Sequence, residues 1–394
     1  MALCRRATAT RRASRLLGRF VVAALLALAA LSGQGLLDLP GLLRRAGINP
    51  AGVLPPTPGP AVVAALAGGT VEVFFTTPEL VYPDLPGHRM PPAPERALLA
   101  DIEAATRSIE LVSFEYNLDS IAEALARARA RGVAVRLALD REGLANPVMA
   151  RWAGIVEEAG IPVSWEQSDA FLHSKFVIID DRLVWTGSWN ATINDTYRNN
   201  NNLLRITAWP IVANYAAEFE RMAAGQFGNG KFGPTPHPQL RLSETRLENY
   251  FSPVEGVKSR VRDWVDQARL SVDVLAFSFT ENDVGDALIA RQQAGVPVRV
   301  VFEARNAGGE GSEFARLRSF GLAVLEDGNC YTMHHKVIII DRRVVITGSY
   351  NFTARAEEVN DENVLVIEHP EVARAYLEEF ERVYRQAQSP PRCM

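Results

Sequence analysis

Cysteine is scarce in this 394-residue chain, which contains three. Cys330 and Cys393 lack the spacing to a second Cys or to a His pair that metal sites use, so no metal site is predicted. No other feature of the sequence indicates a cofactor. Cys330 and Cys393 could form a disulfide or remain two unlinked thiols, and the sequence leaves both alternatives open.

A long apolar run is also missing. The apolar stretch 20–31 is shorter than the roughly 20 residues that a membrane-spanning helix needs. Six arginines precede it, and a basic segment before a short apolar stretch is typical of an export signal. We therefore expect 1–33 to be a signal peptide or an amino-terminal anchor, and the protein to be secreted, periplasmic or membrane-anchored. The Pro- and Gly-rich segment 34–69 is predicted to be a spacer.

The remainder of the chain has no excess of positive charge. Without the six arginines it has 36 basic and 46 acidic side chains, a net charge of −10. Nonspecific nucleic-acid binding requires Lys and Arg that neutralise phosphates, so a general DNA-coating protein is disfavoured. A local basic cleft remains compatible with this balance.

An internal repeat dominates the rest of the sequence. The segment 108–140 aligns without gaps to 271–303 at an offset of 163, and both read as strand, helix and strand. Such β-α-β units predict an α/β fold with a mixed, largely parallel sheet flanked by helices. We predict two fused repeats, 70–227 and 242–388, joined by a Gly- and Pro-rich linker, 228–241.

Each repeat also carries a His-x-Lys-x4-Asp motif. The two motifs are His173, Lys175 and Asp180, and, at an offset of 161, His334, Lys336 and Asp341. Positions i and i+2 of a strand share a face, so each His and Lys should point into the same space. The Asp lies at an odd separation from its His. We count it among the candidate catalytic residues, with the role of orienting another group, such as the His of the opposite copy.

A Gly-Ser-aromatic-Asn sequence follows each motif. A glycine that lets the backbone approach, beside a hydroxyl and an amide, is a plausible cradle for phosphate oxygens. The candidate phosphate-binding and supporting residues are Ser188, Asn190, Ser349 and Asn351.

These paired motifs on a duplicated framework resemble the phospholipase D superfamily over nearly the whole range 71–384. The resemblance implies a metal-independent phosphodiesterase with both motifs at a pseudo-two-fold axis. It implies that one His, by analogy His173, attacks phosphorus and that His334 protonates the leaving alcohol. The lysines would stabilise charge on the phosphoryl oxygens. Related proteins often carry an acidic residue that hydrogen-bonds the catalytic His, and Glu362 fits that pattern whereas its counterpart, Asn201, departs from it.

Three functions remain in competition. The first is an exported, monomeric phospholipase D-like enzyme that hydrolyses a phospholipid headgroup, or transfers the phosphatidyl group, at a membrane surface. The second is a metal-independent endonuclease of the same superfamily, acting on nucleic acid. The third is a catalytically silent phosphate-binding protein, which the intact motifs disfavour.

Overall fold

The computed structural model describes residues 59–77 and 82–393. The predicted signal peptide or anchor, 1–33, lies outside the described residues, as does most of the predicted spacer. Residues 83–91 form a small separate unit with one 3₁₀ turn, Pro86–His88, and an ion pair of 2.6 Å between Arg89 and Asp84. Apart from 83–91, both repeats belong to the other, much larger unit.

The first repeat is an eight-stranded sheet with helices. Its elements are β1 (Val62–Leu66), β2 (Gly69–Phe75), α1 (Ala93–Ala104), β3 (Ser108–Ser113), α2 (Asp119–Ala130), β4 (Ala134–Asp140), α3 (Pro147–Glu158), β5 (Val163–Glu166), β6 (Phe176–Ile179), β7 (Leu183–Gly187), α4 (Ile193–Tyr197), β8 (Asn202–Ile206) and α5 (Trp209–Ala223).

The second repeat has the same succession of strands. Its elements are β9 (Gln239–Leu242), β10 (Thr245–Ser252), α6 (Val257–Asp266), β11 (Val272–Ala276), α7 (Asn282–Gln293), β12 (Val298–Phe302), α8 (Ala304–Ala307), α9 (Glu313–Ser319), β13 (Ala323–Glu326), β14 (Lys336–Ile340), β15 (Val344–Gly348), α10 (Ala354–Glu358), β16 (Glu362–Glu368) and α11 (Pro370–Gln388).

The two sheets have equivalent strand orders. The first runs β1-β2-β8-β7-β6-β3-β4-β5, and the second, read from its hairpin, runs β9-β10-β16-β15-β14-β11-β12-β13. The predicted α/β architecture of two fused repeats is confirmed. The sheets are mixed, but parallel pairing is confined to the three strands at one side of each sheet, less than the largely parallel sheet that we predicted. Helical crossovers permit parallel pairing there, whereas neighbours such as β6 and β7, which are joined by a tight hairpin, must pair antiparallel.

Buried apolar side chains form three clusters. One cluster contains residues of both repeats, including Phe176 and Leu204 of the first sheet and Ile339 and Leu365 of the second, together with side chains of α5 and α11. The other two clusters each belong to one repeat. The shared cluster holds the repeats together, because burial of apolar surface is the main favourable term in folding.

The folded repeats extend beyond two of the boundaries that we predicted. Strand β1 begins at Val62, inside the predicted spacer, because it pairs antiparallel with β2. The predicted linker supplies β9 and also a buried lysine. Lys231 is 4 % exposed and its Nζ lies 2.7 Å from Glu218 and 2.9 Å from Asp361. The segment therefore serves as a structural part of both repeats.

Cys330 and Cys393 form a disulfide with their Cα atoms 5.5 Å apart. It ties the carboxy-terminal segment to the loop that precedes His334. A search of the described residues for a helix with the length and apolarity of a membrane span finds none.

Candidate active site

The histidines of the two His-x-Lys motifs lie in one cleft. His173 and Lys175 lie just before β6, and His334 lies just before β14, which Lys336 begins. Each of the four residues is at most 7 % exposed. Both imidazoles line the same cleft, whose volume is about 410 Å³. The cleft therefore takes its chemical groups from both repeats.

A phenylalanine holds each lysine in place. The Nζ of Lys175 lies 5.6 Å from the ring centroid of Phe114, and the Nζ of Lys336 lies 4.4 Å from that of Phe277. Each Nζ also donates a hydrogen bond to the carbonyl oxygen of the histidine two residues before it. The aromatic face and the carbonyl together fix each ammonium beside its histidine.

Each histidine is oriented by the opposite repeat. Nδ1 of His173 hydrogen-bonds to the carboxylate of Glu362, at 2.8 and 2.7 Å from its two oxygens. Nδ1 of His334 hydrogen-bonds to Oδ1 of Asn201 at 2.9 Å. This exchange is what a two-fold relation between the repeats produces. It also gives the two histidines chemically different partners.

Ser188 and Ser349 do not form the predicted phosphate cradle. The hydroxyl of Ser349 donates to Glu362 at 2.6 Å and accepts from the backbone N–H of Asn363. Ser188 donates to Asn201 at 2.8 Å. Both serines are fully buried. They support the residues that orient the histidines, because their single O–H donor is already used there.

The glycine of each Gly-Ser sequence also has a different use from the predicted one. At Gly187, with φ of +145°, a Cβ atom would lie 2.2 Å from the carbonyl oxygen of Asn202. At Gly348, with φ of +142°, a Cβ would lie 2.1 Å from that of Asn363. The absent side chain therefore lets two strands approach closely, and it does not make room for phosphate.

The motif aspartates lie at the far end of the strand from their histidines, which corrects their prediction as catalytic residues that orient the opposite His. The carboxylate of Asp180 accepts from the backbone N–H groups of 106–108, at 2.7 to 3.1 Å. Asp341 accepts in the same way from those of 269–271. Both have positive φ, 55° and 54°, at the first position of a tight turn. They join this turn to the start of the neighbouring strand.

The asparagines of the Gly-Ser sequences differ between the repeats. Asn190 lines the cleft and donates from its backbone N–H and from Nδ2 to the carboxylate of Asp195, both at 2.8 Å. The Oδ1 of Asn351 is buried and has no hydrogen-bond partner among the described residues. The residue that matches Asp195 at the offset of 161 is Ala356, so Asn351 lacks the corresponding acid.

Sequence reasoning missed Asp195. Its Oδ2 lies 3.6 Å from Nδ1 of His334. Each histidine therefore has its own carboxylate nearby, Asp195 for His334 and Glu362 for His173. The signal that could have identified it is the reciprocal pattern of Asp195 against Ala356 and Asn201 against Glu362. Each repeat carries one acid at one of two positions.

Burial sets the protonation of these groups. It lowers the pKa of His173 and of His334 well below their ordinary value, and the neighbouring lysines lower both further. Burial also lowers the pKa of Lys175 to about 8 and raises that of Glu362 to about 8. A phosphodiester anion would favour the charged lysines, because it brings the opposite charge into the same buried space.

The lining of the cleft includes acidic groups. Glu115 and Glu303 line it, beside Asp195. Arg305, which also lines it, is held by an ion pair of 2.7 Å to Glu303 and by a hydrogen bond to the carbonyl oxygen of Tyr331. Burial raises the pKa of Glu115, and Asp195 raises it further. Arg305 is thus paired with an acid, and the lining of the cleft is not a basic track.

Comparison with known proteins matches both repeats. A family model described as "Cardiolipin synthase, PLD-like domain" matches residues 98–223 and 261–384. The chain is 42% identical to human mitochondrial cardiolipin hydrolase over 132 residues. This alignment covers 34% of this chain and 52% of the human protein. The chain is 35% identical over 156 residues to a phospholipase D of Rickettsia bellii, which covers 38% of this chain and 78% of that protein. The match thus spans about half the length of the human relative.

One solved structure resembles both repeats together. The phosphatidylserine synthase of Haemophilus influenzae superimposes with a TM-score of 0.58 over 74% of this chain and 84% of that chain, at 13% identity. At this identity the likeness shows the fold alone.

Proposed function

Because the chain belongs to the phospholipase D superfamily, we propose that it is a phosphodiesterase that hydrolyses the headgroup phosphodiester of a phospholipid. One observation carries the proposal: one histidine from each repeat lines a single cleft, and a buried lysine lies two residues after each of them. Two imidazoles can divide the roles of nucleophile and general acid, and two ammonium groups can stabilise the phosphoryl oxygens.

His173 is the nucleophile in this proposal. In this scheme Nδ1–H donates to the carboxylate of Glu362, so Nε2 of His173 retains its lone pair for the reaction. Attack forms the Nε2–P bond and breaks the bond from phosphorus to the leaving alcohol. The electron pair goes to the leaving oxygen, which takes a proton from Nε2 of His334. The phosphohistidine is cationic at the ring, and the carboxylate of Glu362, at 2.7 Å, stabilises it directly.

In the second step His334 changes from proton donor to proton acceptor. His334, now neutral, accepts a proton from water while the water oxygen attacks phosphorus. The P–Nε2 bond breaks and returns His173 to its starting state. An alcohol in place of water would yield a transphosphatidylated product by the same step, and no metal ion takes part.

The charge distribution at the cleft supports a lipid substrate over a nucleic acid. A polynucleotide carries phosphates on both sides of the scissile one, and these would approach Glu115 and Glu303 in the lining of the cleft. A phospholipid such as phosphatidylcholine places a single phosphodiester between the lysines. The names of the two relatives, cardiolipin hydrolase and phospholipase D, support the same substrate class.

We further propose that the protein is exported and acts as a monomer at a membrane surface. Disulfides persist mainly in oxidising compartments, and the bond between Cys330 and Cys393 supports export. A monomer is sufficient because one chain supplies both His-Lys pairs.

The test is hydrolysis of phosphatidylcholine, cardiolipin and single-stranded DNA in the presence of EDTA, by the wild type, His173→Ala and His237→Ala. The last is the matched control, since His237 is half-buried beside Trp209 in the linker segment. We expect lipid hydrolysis by the wild type and the control, and none by His173→Ala. Cleavage of DNA alone would identify the endonuclease. Activity in folded His173→Ala would refute the assigned nucleophile, and loss of all activity in EDTA would refute the metal-free mechanism. Binding without turnover would identify the silent phosphate-binding protein.

A further inference from the structure

We propose that Asp195 is a positioning residue that supplies His334 with the negative charge that Asn201 lacks, and so makes His334 the general acid. This inference rests on the proposed function and concerns the same cleft. It assigns a role to a residue outside both His-x-Lys-x4-Asp motifs.

The carboxylate of Asp195 is fixed next to His334. Asp195 lies on the short helix α4, is 2 % exposed, and places Oδ2 3.6 Å from Nδ1 of His334. Asn190 holds Oδ2 by two hydrogen bonds of 2.8 Å, and Asn199 holds Oδ1 by one of 2.6 Å. A carboxylate with both oxygens held in this way cannot swing away from the imidazole.

The two repeats distribute their acids reciprocally. At the offset of 161, Asp195 matches Ala356 and Asn201 matches Glu362. Each repeat therefore contributes one carboxylate near the histidine of the other repeat. The second repeat contributes it on strand β16, and the first repeat contributes it on helix α4. Asn201, the counterpart of Glu362, is thus accompanied by an acid six residues earlier in the chain.

His334 needs this charge because the groups around it otherwise repel a proton. Lys336, Lys175 and His173 face it, and each of them, together with burial, lowers its pKa. Asp195 is the acidic group that acts in the opposite direction and raises that pKa. A neutral Asn201 accepts the Nδ1–H bond but stabilises the imidazolium far less than a carboxylate does.

The difference in distance assigns the roles. Glu362 lies 2.7 Å from Nδ1 of His173, whereas Asp195 lies 3.6 Å from Nδ1 of His334. The direct hydrogen bond to Nδ1 of His334 is made by Asn201. The closer carboxylate suits the histidine that must carry positive charge throughout the covalent intermediate. The more distant one suits a histidine that must hold a proton and then release it to the leaving alcohol.

The experiment moves the charge from one position to the other. Phosphatidylcholine hydrolysis is measured against pH for the wild type, Asp195→Asn, Asn201→Asp and the double variant Asp195→Asn/Asn201→Asp. We expect Asp195→Asn to lower kcat on the order of 10²-fold with KM within about threefold. The alkaline limb of its kcat/KM profile should move to lower pH, because an acid of lower pKa loses its proton earlier. The double variant should recover at least about tenfold in kcat and return the limb toward higher pH.

Asn199→Ala is the matched control for the structural contacts of Asp195. It removes a hydrogen bond to the carboxylate but leaves the charge, so the alkaline limb should stay in place. A double variant no more active than Asp195→Asn would overturn the inference, since Asn201→Asp restores charge near His334 but not the contacts to Asn190 and Asn199. An unshifted alkaline limb in folded Asp195→Asn would overturn it as well. Failure of the proposed function is distinguishable, because the wild type would then hydrolyse no lipid.

Discussion

Replacing Asp180 with Asn should destabilise the protein while leaving its catalytic constants nearly intact. Its carboxylate is 2 % exposed and accepts from the backbone N–H groups of Thr106, Arg107 and Ser108 and from the hydroxyl of Thr106. Asparagine has nearly the same shape and tolerates the left-handed backbone at this turn, where φ is 55°. The substitution therefore tests the charge and the acceptor oxygens rather than the turn.

The magnitude follows from the donors that lose their acceptor. An amide offers one acceptor oxygen and an NH₂ group that opposes the remaining N–H donors. Each buried donor left unpaired costs about 1–3 kcal/mol, so with two donors affected we expect a loss of about 2–6 kcal/mol in the free energy of unfolding. Burial alone would raise the pKa of Asp180, but the hydrogen bonds from Arg107, Ser108 and Thr106 outweigh it and lower that pKa below its ordinary value.

The sign of the pH dependence follows from the lowered pKa. The stabilisation is fully present above the pKa of an unfolded Asp, about 3.9, and is lost as pH falls through the lower folded pKa. The difference in the free energy of unfolding between the wild type and Asp180→Asn should therefore shrink below a pH of about 4.

Urea unfolding monitored by tryptophan fluorescence measures the stability, and lipid hydrolysis at a temperature where both proteins are folded measures kcat. Asp181→Asn is the matched control. Asp181 is exposed and pairs with the exposed Arg107 at 2.7 Å, and such pairs contribute about 0–1 kcal/mol. If Asp180→Asn retains wild-type stability but loses kcat by 100-fold or more, Asp180 acts in catalysis and our structural reading of it is refuted.

Two further predictions concern the buried lysine and the disulfide. Burial lowers the pKa of Lys175 to about 8, so the unfolded chain binds more protons between pH of about 8 and about 10.5, and stability rises with pH in that window. Lys175→Met should be inactive yet up to about 3 kcal/mol more stable than the wild type at pH 7 in urea unfolding, and equal stability there would contradict the assigned burial cost. Cys393→Ser opens a loop that spans a sequence separation of 63 and should lower the unfolding free energy by about 4 kcal/mol. Reducing the disulfide of the wild type should lower it by the same amount. An unchanged urea midpoint in both would show that the bond does not constrain the unfolded chain.

The sequence was sufficient to predict which histidines and lysines lie together. Periodicity and the repeat predicted two α/β units, and strand parity predicted that each His and Lys would share a space. The structure places His173 and His334 on one cleft and buries the lysines beside them. These predictions succeeded because they depend on local spacing, which the backbone geometry of a strand converts directly into direction.

The predictions for the supporting groups failed where the partner is distant in sequence. Asp180 binds backbone more than 70 residues earlier in the chain, and Ser349 binds Glu362 across two strands of one sheet. Nothing in the local pattern of a motif specifies which buried donor its carboxylate or hydroxyl will meet. The aspartate and serine of the motifs therefore resembled catalytic groups in the sequence, whereas the structure gives them supporting roles.

By itself the sequence determined that this protein is a duplicated α/β chain with two His-Lys pairs, because repeats and spacing are written in the order of residues. Only the tertiary structure decided which acid serves which histidine. Glu362 and Asp195 lie in different repeats from the imidazoles they face, and they approach them at 2.7 and 3.6 Å only after the shared core has brought the two sheets together. Burial in that core, which no local pattern records, also shifts the pKa values on which the division of roles depends.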